Sequence, residues 1–321
     1  VLPGVVRNRK AIRPHLGKLL ILGLLGMVLY QSLAYYAAHS VSALFMGIFM
    51  IYPIFKMAFD SLYSFDPNGM KEFVGFDNYI KAFGNESFLQ PLKNTLVYIF
   101  IAVVVELILG TILALVFEEN FKGNKVIRSL ILTPLMIAPL VAGLIWKLML
   151  SAQFGIINQL LVNVGLLENS NQILWLADEK WSLLARCFAD IWLTTPFMML
   201  MILAGLQGLD GSMIEAATID GANWWQKIIK IKLPNIKPVL LTALSIRIID
   251  AARTFDIVWA MTQGGPNNSS ELISVVIYKT LTRYNKVGYA SAMALILVVV
   301  LVVFTLVFMQ GLWNPKKKQS V

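Results

Sequence analysis

Ionisable side chains that interrupt long apolar runs are the residues of this chain with chemistry to do. Arg186 and Asp190 stand four apart, on one face of a helix, and Thr194, Thr195 and Pro196 follow. Arg247, Asp250 and Arg253 recur every three residues, with Asp256 beyond. Steps of three drift by about 60° each on an α-helix, so these side chains form a connected polar strip. Charges in an apolar surround are expensive, and they either pair with one another or line a wet path. For Arg186 and Asp190 both readings stay open; for the Arg247–Asp250–Arg253 strip the preferred reading is a lined path. Glu106 is a lone carboxylate, read as hydrogen-bonded to a neighbouring helix rather than as a proton carrier. The single Cys187 and two distant histidines offer neither an intrachain disulfide nor a metal-ligand cluster. No nucleophile–base set stands outside the apolar runs, so no catalytic, cofactor-binding or metal-binding residue is assigned.

The elements that must position these groups are membrane helices. The 321 residues are 58% hydrophobic and only 14% charged, with a mean hydropathy of +0.70. That is too little charge to cover a soluble protein of this size. The apolar runs are about twenty residues long and do not alternate, which fits helical spans and excludes a membrane β-barrel. Five clear spans fall near 95–117, 129–150, 183–206, 239–260 and 288–312. The methionines at 198–201 read as packing, and Trp146 and Lys147 as anchors at the membrane interface.

Loop charge sets the orientation and explains most of the formal net charge of +9. Segments 1–18, 118–128, 207–237 and the C-terminus carry fifteen Lys and Arg, against seven in the alternate loops 60–93, 151–182 and 261–287. Basic loops stay in the cytoplasm, which places both termini there. The basic start and the apolar region after it resemble a secretory signal, yet no small-x-small cleavage site follows, so the segment reads as uncleaved. An odd number of crossings is needed before residue 60. One span near 41–59, preceded by an interfacial or oblique helix around 18–36, meets that need. The expectation is an all-α polytopic membrane protein. It has a tail and extra N-terminal segment over 1–40, a six-span core over 41–312, and a short C-terminal tail over 313–321.

Between the fourth and fifth core spans lies EAATIDGANWWQKIIKIKLP, too polar to cross a bilayer. Residues 212–218 favour a short helix that Ser212 could cap, with Glu215 near its positive end. Gly221 can redirect the backbone. A second helical piece over 223–232 would be ended by Pro234. Ala216 and Ala217 would leave a small, flat surface. Pattern alone also allows an amphipathic helix lying on lipid.

The spacing Glu215-Ala216-Ala217, Asp220-Gly221-Ala222 and Ile231-Lys232-Leu233-Pro234 resembles the EAA loop of bacterial ABC importer permeases. The stretches VGFDNYIKAF, PLKNTLVY, AGLIWKLML, IWLTTPFMMLMILAGLQ and FDIVWAMTQGGPNNSS are similar to the binding-protein-dependent sugar permeases related to the maltose and glycerol-3-phosphate importers. The resemblance runs from about residue 42 to 313. It implies a type I importer permease of six core helices in the bacterial inner membrane, its cytoplasmic loop 207–237 docking on an ATP-binding subunit. Glu215, Ala216, Ala217, Asp220, Gly221, Ala222, Leu233 and Pro234 would carry that coupling.

The resemblance further implies a second permease subunit, two ATP-binding subunits that hold ATP and magnesium, and an outer solute-binding protein that delivers a sugar. The chain has no G-x-x-x-x-G-K-[ST] loop, so hydrolysis is assigned to those subunits. The sugar path implied by the family falls on Asp190, Leu193, Thr194, Phe197, Asp250, Arg253 and Thr254, with Arg247 added from the polar strip. Asp250 and Arg253 depart from the asparagine and aromatic residues usual in the maltose type. Arginines there suit an acidic oligosaccharide such as an alginate or another uronate fragment. The nearby aspartates offset much of that field, so a neutral sugar stays open. An ion- or proton-coupled secondary transporter is the alternative, but it leaves the EAA spacing unexplained.

Overall fold

The computed structural model describes residues 47–65, 70–119, 121–266 and 271–312. The 18–36 segment, the expected boundary at residue 40 and the 313–321 tail lie outside the described residues. Two compact units meet in sequence between Phe59 and Asp60. In the first, a π-helical turn over Gly47–Ile51 leads into α1 (Tyr52–Asp60), whose Tyr52, Ile54, Phe55 and Phe59 side chains are exposed.

The second unit opens with an antiparallel hairpin, β1 (Tyr63–Phe65) and β2 (Lys71–Phe73), in which Ser64 faces Glu72. Helix α2 (Asp77–Phe83) follows, and Asn85 then caps α3 (Glu86–Glu118) by accepting from the Ser87 amide at 2.9 Å. Helix α3 shows how the bundle is sorted. Asn94, Tyr98, Ala102, Glu106, Gly110 and Ala114, every fourth residue, are buried. Phe100, Val104, Ile108, Ile112 and Val116, two residues out of phase, are exposed. The apolar stripe faces outward and the small and polar stripe inward, as a span solvated by lipid requires. Small residues let backbones approach: a Cβ on Gly110 would lie 2.7 Å from that of Met198.

The expected span 129–150 is instead two helices. α4 (Asn124–Leu132) passes through a 3₁₀ turn at Thr133–Met136 into α5 (Pro139–Met149), and the pair is bent by 100°. Pro134 and Pro139 each sit in the first turn of their element, where a missing N–H is harmless, so the prolines start elements rather than interrupt one. The short helix α6 (Ile156–Asn163) precedes α7 (Glu179–Gln207), which Asp178 caps through the Lys180 amide. α8 (Gly211–Ile219) and α9 (Trp224–Lys227) form the polar connection. The chain continues through a π-helical turn over Ile228–Lys232 and one turn over Leu233–Asn235.

The fifth expected span also breaks. α10 (Lys237–Ala252) ends in tight turns, and α11 (Asp256–Met261) restarts after Phe255. α12 (Ile273–Thr282) and α13 (Val287–Leu312) complete the described chain. Among the described residues three helices are long and apolar enough to cross a membrane, or four if the bent pair counts as one. The core lies where α3, α7, α10 and α11 meet, around Tyr98, Ala102, Cys187, Ile191, Ile248 and Val258. Met198 and Met199 are fully buried, as packing residues should be.

Candidate functional site

The broken fifth span creates the first site. A cavity of about 380 Å³ opens where α10 stops, walled by α7 on one side and by Pro139 of α5 on another. Asp190, Leu193, Thr194, Arg247, Asp250, Arg253 and Thr254 all line it. Phe197 does not: it is half-buried one turn further along α7. Phe255, Asp256 and Ile257 join the lining because the chain turns there. A continuous helix would have carried them past it, so helical periodicity gave no signal for them.

The charges sort into two groups that spacing did not anticipate. Arg247 donates from Nε to Glu106 Oε2 at 2.6 Å and from Nη2 to Glu106 Oε1 at 2.8 Å. Its Nη2 also reaches Asp190 Oδ2 at 3.1 Å. Thr194 Oγ1 lies 2.8 Å from Glu106 Oε1 and 2.6 Å from the Asp190 carbonyl, and its one proton can serve either. Glu106, Asp190 and Arg247 are buried, so one ion triad joins α3, α7 and α10. The second group is local: Arg253 pairs with Asp250 one turn back, at 2.5 and 3.0 Å, with its side chain 73% exposed. Asp190 therefore pairs across the bundle, while Arg186 on its own helix directs Nε to the Ser182 carbonyl at 2.9 Å. The single polar strip read from the sequence is two separate ion clusters. Glu106 does bond to neighbouring helices, as expected, and the four-residue stripe of α3 is the signal that marks its inward position.

The second site is the loop after α7. Asp210, not Ser212, caps α8, accepting from the Ser212 amide at 3.0 Å. That amide and the Ser212 side chain hold the Asp210 carboxyl below its ordinary pKa. Glu215, Ala216 and Asp220 are exposed, whereas Ala217 is buried. The flat surface is thus Ala216 alone, because one helical step of 100° turns Ala217 inward. Ile219 is 86% exposed one turn beyond Glu215, an apolar tip that the sequence reading missed.

Gly221 takes φ +78° with open space around its α-carbon, so its backbone angle and not crowding calls for glycine. The Ala222 amide then closes on the Ala217 carbonyl at 2.9 Å. Asn223 and Gln226 cap α9 reciprocally, each side chain accepting the other's amide. Leu233 is half-buried, and Pro234 is exposed inside a turn rather than ending the helical run, because it occupies a first-turn position. Lys232 ties the loop to the end of α3 through Glu118 at 2.7 Å.

A bundle of lipid-facing helices, with a charged cavity at a broken span and a rigid exposed loop, is the layout of a type I ABC importer permease. One chain of a bacterial ABC transporter that imports the acidic polysaccharide alginate has this fold, with a TM-score of 0.77 at 23% identity over 92% of this chain and 99% of that one. The protein belongs to the family of inner membrane components of binding-protein-dependent transport systems, whose pattern matches residues 106–319. A trehalose/maltose transport system permease of Thermococcus litoralis is 35% identical over 82% of this chain and 88% of that relative. A sulfoquinovosyl glycerol transport system permease of Agrobacterium fabrum is 32% identical over 84% and 87%.

Proposed function

We propose that this chain is the permease subunit of an ATP-driven, solute-binding-protein-dependent sugar importer in the inner membrane, with its loop 207–237 in the cytoplasm. It forms the path with a second permease subunit and takes its energy from two ATP-binding subunits. Glu215, Ala216, Ile219 and Asp220 supply an exposed, rigidly held docking face. Gly221 and Lys232 fix that face relative to α9 and α3, so closure of the ATPase pair would tilt the spans.

The observation that carries the reading is the cavity, whose volume falls in the range of small-ligand sites, about 300–1,000 Å³. Its two arginines are paired with carboxylates, and Asp256 and the threonine hydroxyls remain available for a ligand's hydroxyls. Sugars named for the relatives agree with that chemistry. Both arginines already have carboxylate partners, which favours a neutral, hydroxyl-rich ligand. One feature supports an acidic oligosaccharide as the second reading: Arg253 is exposed enough to leave Asp250 for a ligand carboxylate.

Reconstituting the chain with its partner subunits tests this. Sugar-loaded binding protein should stimulate ATP hydrolysis and drive import. Import that persists without ATP would restore the ion-coupled alternative. Arg253→Ala should spare neutral sugars and impair acidic ones if the second reading holds.

A further inference from the structure

We propose that Glu106, which does not line the cavity, is the positioning residue that sets its selectivity among sugars; this rests on the sugar-import reading above. Glu106 accepts the Nε–Nη2 edge of Arg247 with both carboxylate oxygens, which fixes the guanidinium plane. Asp190 takes a further Nη2 hydrogen. Arg247 has five N–H donors in a rigid fork, so the two on Nη1 remain. Nη1 has no acceptor among the described residues and is not sealed from solvent, and Arg247 lines the cavity. Its free edge is therefore presented there by a side chain that is otherwise buried.

Glu106 Oε1 also shares the proton of the Thr194 hydroxyl with the Asp190 carbonyl, and that hydroxyl is a second cavity-lining group whose oxygen keeps an accepting lone pair. One carboxylate, out of reach of the ligand, thus aims a donor and an acceptor into the same space. Adjacent hydroxyls of a sugar ring, each able to donate and accept, match that pair. Packing gives a poorer account of the triad, because apolar residues of similar volume serve a buried core at least as well.

Charge sets the sign of the selectivity. By formal charge Glu106, Asp190, Asp250 and Asp256 stand against Arg247 and Arg253, a net excess of two carboxylates at and behind the cavity wall, which disfavours an anionic ligand. Glu106→Gln halves that excess and releases Arg247 towards the cavity.

The test uses the complete complex in proteoliposomes, with maltose and a diuronate as labelled probes, each on a binding protein that accepts it. In Glu106→Gln the half-saturating concentration for maltose should rise about tenfold, as expected for a lost charge-assisted contact, while that for the diuronate should hold or fall. Glu106→Asp, which keeps the charge, should restore most of the ratio. Equal loss for both sugars overturns the proposal and leaves Glu106 a structural residue. If Glu106→Gln does not assemble, Thr194→Val keeps the triad and removes one aimed hydroxyl; unchanged maltose import in that variant overturns the proposal equally. A wild-type complex whose ATP hydrolysis no sugar-loaded binding protein stimulates overturns the sugar reading itself.

Discussion

Arg247 finds its main partner 141 positions away, at Glu106. Residue types named the cavity well because ionisable groups in a span must face inward; matched motif positions gave six of the lining residues on α7 and at the end of α10, and the polar strip added Arg247. Their pairing was not legible, since it depends on how α3, α7 and α10 rotate against one another. Steric demands are equally hidden. At Gly288 an added Cβ would stand 1.8 Å from the Tyr63 carbonyl oxygen, because the start of α13 packs directly on the hairpin. At Gly84 the nearest atom would be 3.5 Å away. Gly288→Ala should destabilise the protein by roughly 1–3 kcal/mol, as overpacking does, and Gly84→Ala should not. Thermal unfolding of the two purified variants decides it, and equal melting temperatures would remove the steric argument.

Elements were legible where one physical signal dominated. Apolar runs of about twenty residues made α3, α7 and α13 plain, with ends off by up to several residues because local capping and not hydropathy sets them. Averaged hydropathy passes smoothly over the turns at Thr133–Ala138 and Arg253–Phe255, and so merged two helices into one in each case. The start of α8 shows the same limit: Ser212 and Asp210 are both good caps, and only the backbone path selects Asp210. That choice gives the loop a pH signature. A carboxylate whose folded pKa is depressed stabilises while it is ionised. Its contribution is complete above the ordinary aspartate range near 4 and is lost as pH falls through the lower folded value. Asp210→Ala should therefore loosen the first turn of α8 at neutral pH, with the difference from wild type shrinking as pH falls through that window. Amide exchange at Ser212 and Met213, corrected for intrinsic rate, measures it. A pH-independent difference would mean that the cap does not act through its charge.

At the scale of the whole molecule, α10 joins the two sites. Its first residue, Lys237, closes the polar loop after α7, and its last turn carries Asp250 to the cavity. Sixteen helical residues make a rod of about 24 Å, with no Gly or Pro beyond the first turn to absorb a tilt. The far end is held: Arg247 is clamped to α3 and α7, and α11 packs on α5 so closely that a Cβ on Gly143 would meet Ala260 at 2.8 Å. On the proposed coupling, a push at the loop would reach the cavity as rotation of a rigid element between fixed contacts, not as a series of small side-chain adjustments. Breaking the rod should uncouple energy from import without removing either site. Thr242 is exposed near the middle of α10, so proline there removes one backbone hydrogen bond at about 3 kcal/mol locally and buries nothing new. Thr242→Pro should still co-purify with the ATP-binding subunits and hydrolyse ATP, yet import severalfold less sugar per ATP. Thr242→Ala, which keeps the helix, should match wild type. If the proline variant imports as much per ATP as wild type, α10 is not the transmitting rod, and coupling must run through the Lys232–Glu118 tie into α3.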